Sequence, residues 1–126
     1  MDGITFFEAS EYSSNLRCTV QRSGRIGFTD FTQKKLGINE NITVKIGIDG
    51  TKDSFQHLIF QFLEGKESGG FKINKAGNYY YFNPKALLDE LNIVYTGKNI
   101  IYDMAPLNSE MKIYKLIKKE NKVNNT

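Results

Sequence analysis

Apolar and polar residues alternate along most of this chain in short runs, each broken by glycine, proline or a polar cluster, and such two-residue alternation predicts half-buried strands. Two stretches, 18–49 and 71–104, share one order of runs. In the first, Thr19-Val20-Gln21 leads to a loop at Gly24, then Arg25-Ile26-Gly27-Phe28, a short helical stretch ending Leu36-Gly37-Ile38, and the run Ile42 to Ile48. In the second, Phe71 to Ala76 leads to a loop at Gly77, then Tyr79-Tyr80-Tyr81-Phe82, a helix ending Leu91-Asn92-Ile93, and Asn99 to Asp103. A fourth strand is predicted to close each copy, over His57–Leu63 and Met111–Ile117. Repeated units of this size rarely bury their apolar faces alone, so the two halves should share one core.

The expected organisation is a single domain over residues 1–126. Repeat one spans about 17–63, a linker 64–70, repeat two about 71–118, and residues 119–126 form a polar tail. Asn83 is placed as N-cap and Pro84 as first helical residue of the second helix, with Leu87, Leu88 and Leu91 on one face. Asp30 is the candidate cap of the first helix, which is too short to be stable without packing. Gly37 stands where a left-handed C-terminal residue belongs. Asp49–Ser54 and Ala105–Glu110 read as hairpin loops, and Ile4-Thr5-Phe6-Phe7 as a possible extra strand.

With 126 residues and 40% hydrophobic content the chain is long enough for one core. No apolar run reaches the roughly 20 residues that span a bilayer, and the start lacks a basic leader, so a cytoplasmic protein without membrane contact is expected. Cys18 is the only cysteine and is expected as a small buried hydrophobe. The net charge of +3 is uneven: residues 1–69 carry 8 Lys/Arg against 9 Asp/Glu, and residues 70–126 carry 9 against 5. Part of the excess lies in Lys112, Lys115, Lys118, Lys119 and Lys122, read as a solvated edge that discourages sheet pairing.

The first copy resembles, over about a third of the chain, the swapped-hairpin DNA-binding domain of the AbrB, SpoVT and MazE group. Gly24-Arg25-Ile26 and Leu36-Gly37-Ile38 fall at that family's spacing, Glu40-Asn41 occupies its acidic turn, and Ile42-Thr43-Val44 follows in register. Thr29 replaces the usual Pro, Gln33 a common helix Arg, and Asn78 the Arg of the second loop. The resemblance implies a mainly β fold with short helices. It would be a small swapped-hairpin or cradle-loop β-barrel of two ββαββ-type repeats, in a tandem arrangement like that of MraZ. The alternative architecture is an open two-layer α+β domain with the repeats side by side. A related barrel, a pyruvoyl-dependent decarboxylase, matures by cleavage at Gly-Ser, a dipeptide this chain lacks.

The residues themselves suggest how DNA contact would work. Arg22 and Arg25 flank a glycine loop, and Lys34 and Lys35 lie on the following helix; together they could meet a phosphate backbone. Lys72, Lys75 and Lys85 are read as their counterparts in the second copy. Arg25 and Gln21 are the candidates for base recognition. In a chain with 25% charged residues, ordinary solvated charges are the competing reading. Alternation puts Tyr79 and Tyr81 on one side of their strand and Tyr80 and Phe82 on the other. One pair should fill the core, leaving the other as a packing surface or a platform for unpaired bases.

Catalysis finds little support: His57 is the only histidine, with no obvious Cys or Ser partner, and no metal-ligand set or phosphate-binding glycine motif is present. No cofactor is expected. The functional expectation is a non-enzymatic DNA-binding protein, an AbrB-like transcriptional regulator or an antitoxin-like factor acting on double-stranded DNA, with a protein partner or homo-oligomer possible. The alternative is a structural or protein-interaction β-barrel, such as a mobile-element or virion component, that does not bind DNA.

Overall fold

The computed structural model describes residues 3–7, 15–65 and 69–119. It contains strands β1 (Arg17–Val20) and β2 (Ile26–Phe28), helix α1 (Asp30–Leu36), strands β3 (Ile42–Thr51), β4 (Ser54–Glu64), β5 (Phe71–Lys72), β6 (Asn74–Ala76) and β7 (Tyr79–Phe82), helix α2 (Lys85–Glu90), and strands β8 (Ile100–Asn108) and β9 (Ile113–Lys118). The fold is mainly β with short helices, as the sequence suggested. All pairings are antiparallel, in one sheet of order β5-β3-β4-β9-β8-β1-β2-β7-β6. The two end strands, β5 and β6, are separated only by the fully buried Ile73, so the sheet curls into a nearly closed barrel.

The repeats interleave rather than sit side by side. β2 pairs with β7, and β4 with β9, each joining equivalent strands of the two copies. β1 of the first copy pairs with β8 of the second, while β5 of the second pairs with β3 of the first. The arrangement has an approximate two-fold axis that passes near Phe60 and Tyr114, which face each other in the β4–β9 pair. Phe82 occupies the centre of the core, fully buried, with the rings of Phe28, Phe60 and Phe71 at 5.9, 5.6 and 5.9 Å.

Several local expectations are corrected. Thr29 caps α1 instead of Asp30: its hydroxyl accepts the Thr32 N–H at 3.2 Å, and Asp30 lies in the first turn. Pro84 takes the cap position of α2 and no side chain caps that helix, so Asn83 is not its N-cap. Gly37 is left-handed, with φ 63°, and its counterpart Asn92 adopts φ 59°. The hairpins are longer and their turns tighter than expected, because β3 runs to Thr51, β4 starts at Ser54 and β8 extends to Asn108. Residues 4–7 form no strand, and Phe6 and Phe7 are exposed. β9, which carries Lys112's neighbours Lys115 and Lys118, is not an edge: it lies between β4 and β8, so its lysines protect no sheet margin. Lys122 lies outside the described residues. Among the described residues no helix is long and apolar enough to cross a membrane.

Candidate nucleic-acid interface

The loop joining β1 and β2 is a tight turn in which Gln21 N–H donates to Arg25 O at 2.8 Å and Gly24 N–H to Gln21 O at 2.9 Å. Gly24 is left-handed, φ 89°, and a side chain there would lie 2.9 Å from Cβ of Lys85 at the start of α2. Arg22 N–H donates to Asn99 Oδ1 at 3.2 Å. The first loop is therefore seated on the second repeat. The converse holds for the second loop, which is braced by α1. The Gln33 amide donates to Asn78 O at 3.1 Å and accepts the Tyr80 N–H at 2.9 Å.

This exchange regroups the candidate cations. The loop that carries Arg22 and Arg25 packs through Gly24 on Lys85 of the other repeat, while Lys34 shares a depression with Lys75, Asn78 and Tyr80. The charges of the two helices are also inverted. Asp30 and Lys34 pair at 3.0 Å on α1, whereas Lys85 and Asp89 pair at 3.1 Å in the reverse order on α2. Lys85 thus matches Asp30 in the repeat, not Lys34 or Lys35, and the basic set is not symmetric. The Asp89 hydrogen bond raises the Lys85 ammonium above its ordinary value, and the Tyr95 hydroxyl, followed by Lys85, lowers Asp89. Lys35 is exposed on α1, and Lys72 is exposed on β5 opposite Thr43 of β3. Exposed ion pairs of this kind hold charge in place but contribute little to stability.

Arg25 is exposed, and it forms no ion pair with Asp30 or Glu40 among the described residues. Its guanidinium lies over the Tyr81 ring, 4.6 Å from the centroid. Tyr79 and Tyr81 stack on each other, with centroids 6.2 Å apart and planes 19° from parallel. Gln21 Nε2 donates to Tyr79 Oη at 2.6 Å, and burial, partly opposed by that bond, pushes the phenol above its ordinary value. Tyr80 and Phe82 turn to the core side, with Tyr80 also meeting Lys75, whose Nζ lies 5.7 Å from the ring centroid.

Sequence reasoning missed the role of Gln33. The repeat matches it to Leu88, a fully buried core leucine, so a polar residue there was the available signal. It missed Gly27 as well, where any Cβ would collide with the Tyr79 hydroxyl, so only glycine lets that ring lie across β2.

Two further titratable sites lie away from this loop. Cys18 is fully buried, and burial pushes its thiol up, away from thiolate chemistry. Asp49 sits at a bulge in the β3–β4 hairpin, where one carboxylate oxygen accepts the N–H groups of Gln56 and His57, both at 2.7 Å. The other oxygen meets His57 Nδ1 at 2.7 Å. His57, through its backbone and then its ring, holds this carboxyl down at about 2. Among the described residues no group of three His, Cys, Asp or Glu side chains is placed to hold a metal ion. Comparison with models of known families, with curated proteins and with solved structures finds no match to this chain.

Proposed function

We propose that this protein is a non-enzymatic DNA-binding barrel of AbrB-like type, a small regulator or antitoxin-like factor. In this reading it meets DNA through the β1–β2 loop. The observation that carries the reading is the state of that loop's charges. Arg22 and Arg25 are both exposed and neither takes part in an ion pair among the described residues, whereas Lys34 and Lys85 are tied to carboxylates one turn away. A guanidinium without a protein counter-ion keeps its donors for phosphate oxygens. The close approach of Gly24 to Lys85 of α2 and the Arg22–Asn99 contact hold the loop against the second repeat, which limits the entropy lost on binding.

Titration of duplex DNA at two salt concentrations tests the proposal. Affinity should fall steeply as salt rises, because phosphate contacts release counter-ions. Arg25→Ala should lower the salt slope by about 1 without altering the thermal midpoint. No duplex binding even at about 50 mM salt would overturn it. In that outcome a protein-interaction barrel is the better reading, one favoured by the acidic C-terminal half of α2 and by Asn78 in place of a second loop arginine.

A further inference from the structure

We infer that the outer face of β2 and β7 is a stacking platform for unpaired nucleobases, so that DNA with single-stranded character is the preferred ligand. The inference rests on the nucleic-acid reading above and specifies the ligand's class. Its surface is a run of three planar groups: the Tyr79 and Tyr81 rings, 6.2 Å apart, and the Arg25 guanidinium, which lies over the Tyr81 ring at 4.6 Å and offers its own outer plane in place of the ring face it covers. Bases stack on tyrosine rings and on guanidinium planes alike, because each offers a flat polarisable face.

Three features separate this surface from ordinary packing. The core demand of β7 is already met by Phe82 and Tyr80, so Tyr79 and Tyr81 are not needed inside the barrel. The platform is also fixed in advance: Gly27 leaves the space in which Tyr79 lies, and Gln21 pins its hydroxyl at 2.6 Å. A preset aromatic surface loses little rotamer freedom when a ligand binds. Finally, Arg25, which takes part in no ion pair among the described residues, supplies positive charge at the rings, and Arg22 lies on the same loop, so a strand whose bases stack here would have its phosphates within an attractive field. Duplex DNA hides its base faces and can use only the charges.

The test compares the full chain's affinity for three labelled ligands of equal length: a single-stranded oligothymidylate, the same strand made abasic, and a duplex. Fluorescence anisotropy reads binding, and quenching of intrinsic emission reports stacking directly, since the chain holds seven tyrosines and no tryptophan. Oligothymidylate should bind more tightly than the abasic strand by about 5- to 150-fold per stacked base. Tyr81→Leu should reduce that difference, and Tyr81→Phe should keep it. Tyr79→Leu serves as the second variant if Tyr81→Leu fails to fold. Equal binding of the oligothymidylate and abasic strands, or an unchanged preference in both leucine variants, overturns the platform while the phosphate contacts stand. Absence of binding to all three ligands overturns the nucleic-acid reading itself. Tyrosine-dependent binding of the single strand without duplex binding upholds the platform and replaces the duplex as the protein's target.

Discussion

Replacing Gln33 by leucine tests the exchange of loops between the repeats. Gln33 is only 7% exposed, and its amide makes the two bonds that hold the β6–β7 loop against α1. Leucine fills a similar volume but can make neither bond. Asn78 is exposed, so its carbonyl can turn to water and only the net value of its bond is lost. The Tyr80 N–H is half-buried and, left unpaired, costs about 1–3 kcal/mol, with about 1 kcal/mol more for the lost bond at Asn78. Added apolar burial offsets about 1 kcal/mol. The expected net loss is about 2 kcal/mol, a shift of about 1 M in the urea midpoint for a slope near 2 kcal/mol/M. Equilibrium urea unfolding of both proteins at one pH gives the number. A loss under about 0.5 kcal/mol with an unchanged slope would refute the claim that this side chain couples the repeats. Gln33→Glu adds a sign. Its carboxyl can donate to Asn78 O only when protonated, so the folded-state pKa is raised. Relative to the natural chain, stability should be greatest below about pH 4.3 and decline as pH rises through the folded value.

Three further outcomes are expected. Phe82→Ala, at the meeting point of three rings, should cost about 3–5 kcal/mol in urea unfolding, and a cost below about 2 would place the core's centre elsewhere. Folding lowers the Asp49 carboxyl from 3.8 to about 2, so its contribution is full above the higher value and is lost as pH falls toward the lower. The difference in thermal midpoint between the natural chain and Asp49→Ala should accordingly shrink on acidification through that window, and a constant difference would show that the hairpin does not depend on this carboxylate. Cys18 should react with a thiol reagent only as fast as the protein opens, because its sulfur is fully buried; prompt labelling of the native protein would contradict that placement.

What the residues determined unaided is what nearest neighbours decide. Alternation along Tyr79–Phe82 separates a core-facing pair from an outward pair whatever the strand later meets. Gly24, Gly37 and Gly77 all adopt the left-handed backbone that glycine tolerates and other residues resist. The doubled order of runs likewise announced two units sharing one core, because neither could cover its own apolar face. Tertiary structure decided everything that depends on which strands pair. Nothing local tells β1 to join β8 instead of β4, or the first loop to settle on the second helix, since those choices follow from burying both copies' apolar faces at once. The regrouping of the loop that carries Arg22 and Arg25 with Lys85, and of Lys34 with Lys75, comes from that exchange. So does the use of Gln33 as a brace: the position reads as a lost arginine or a misplaced core residue until Asn78 and Tyr80 of the other repeat are brought against it. Side-chain chemistry is carried by the sequence, but the partners that give each side chain a role lie up to 86 residues away and are chosen by packing.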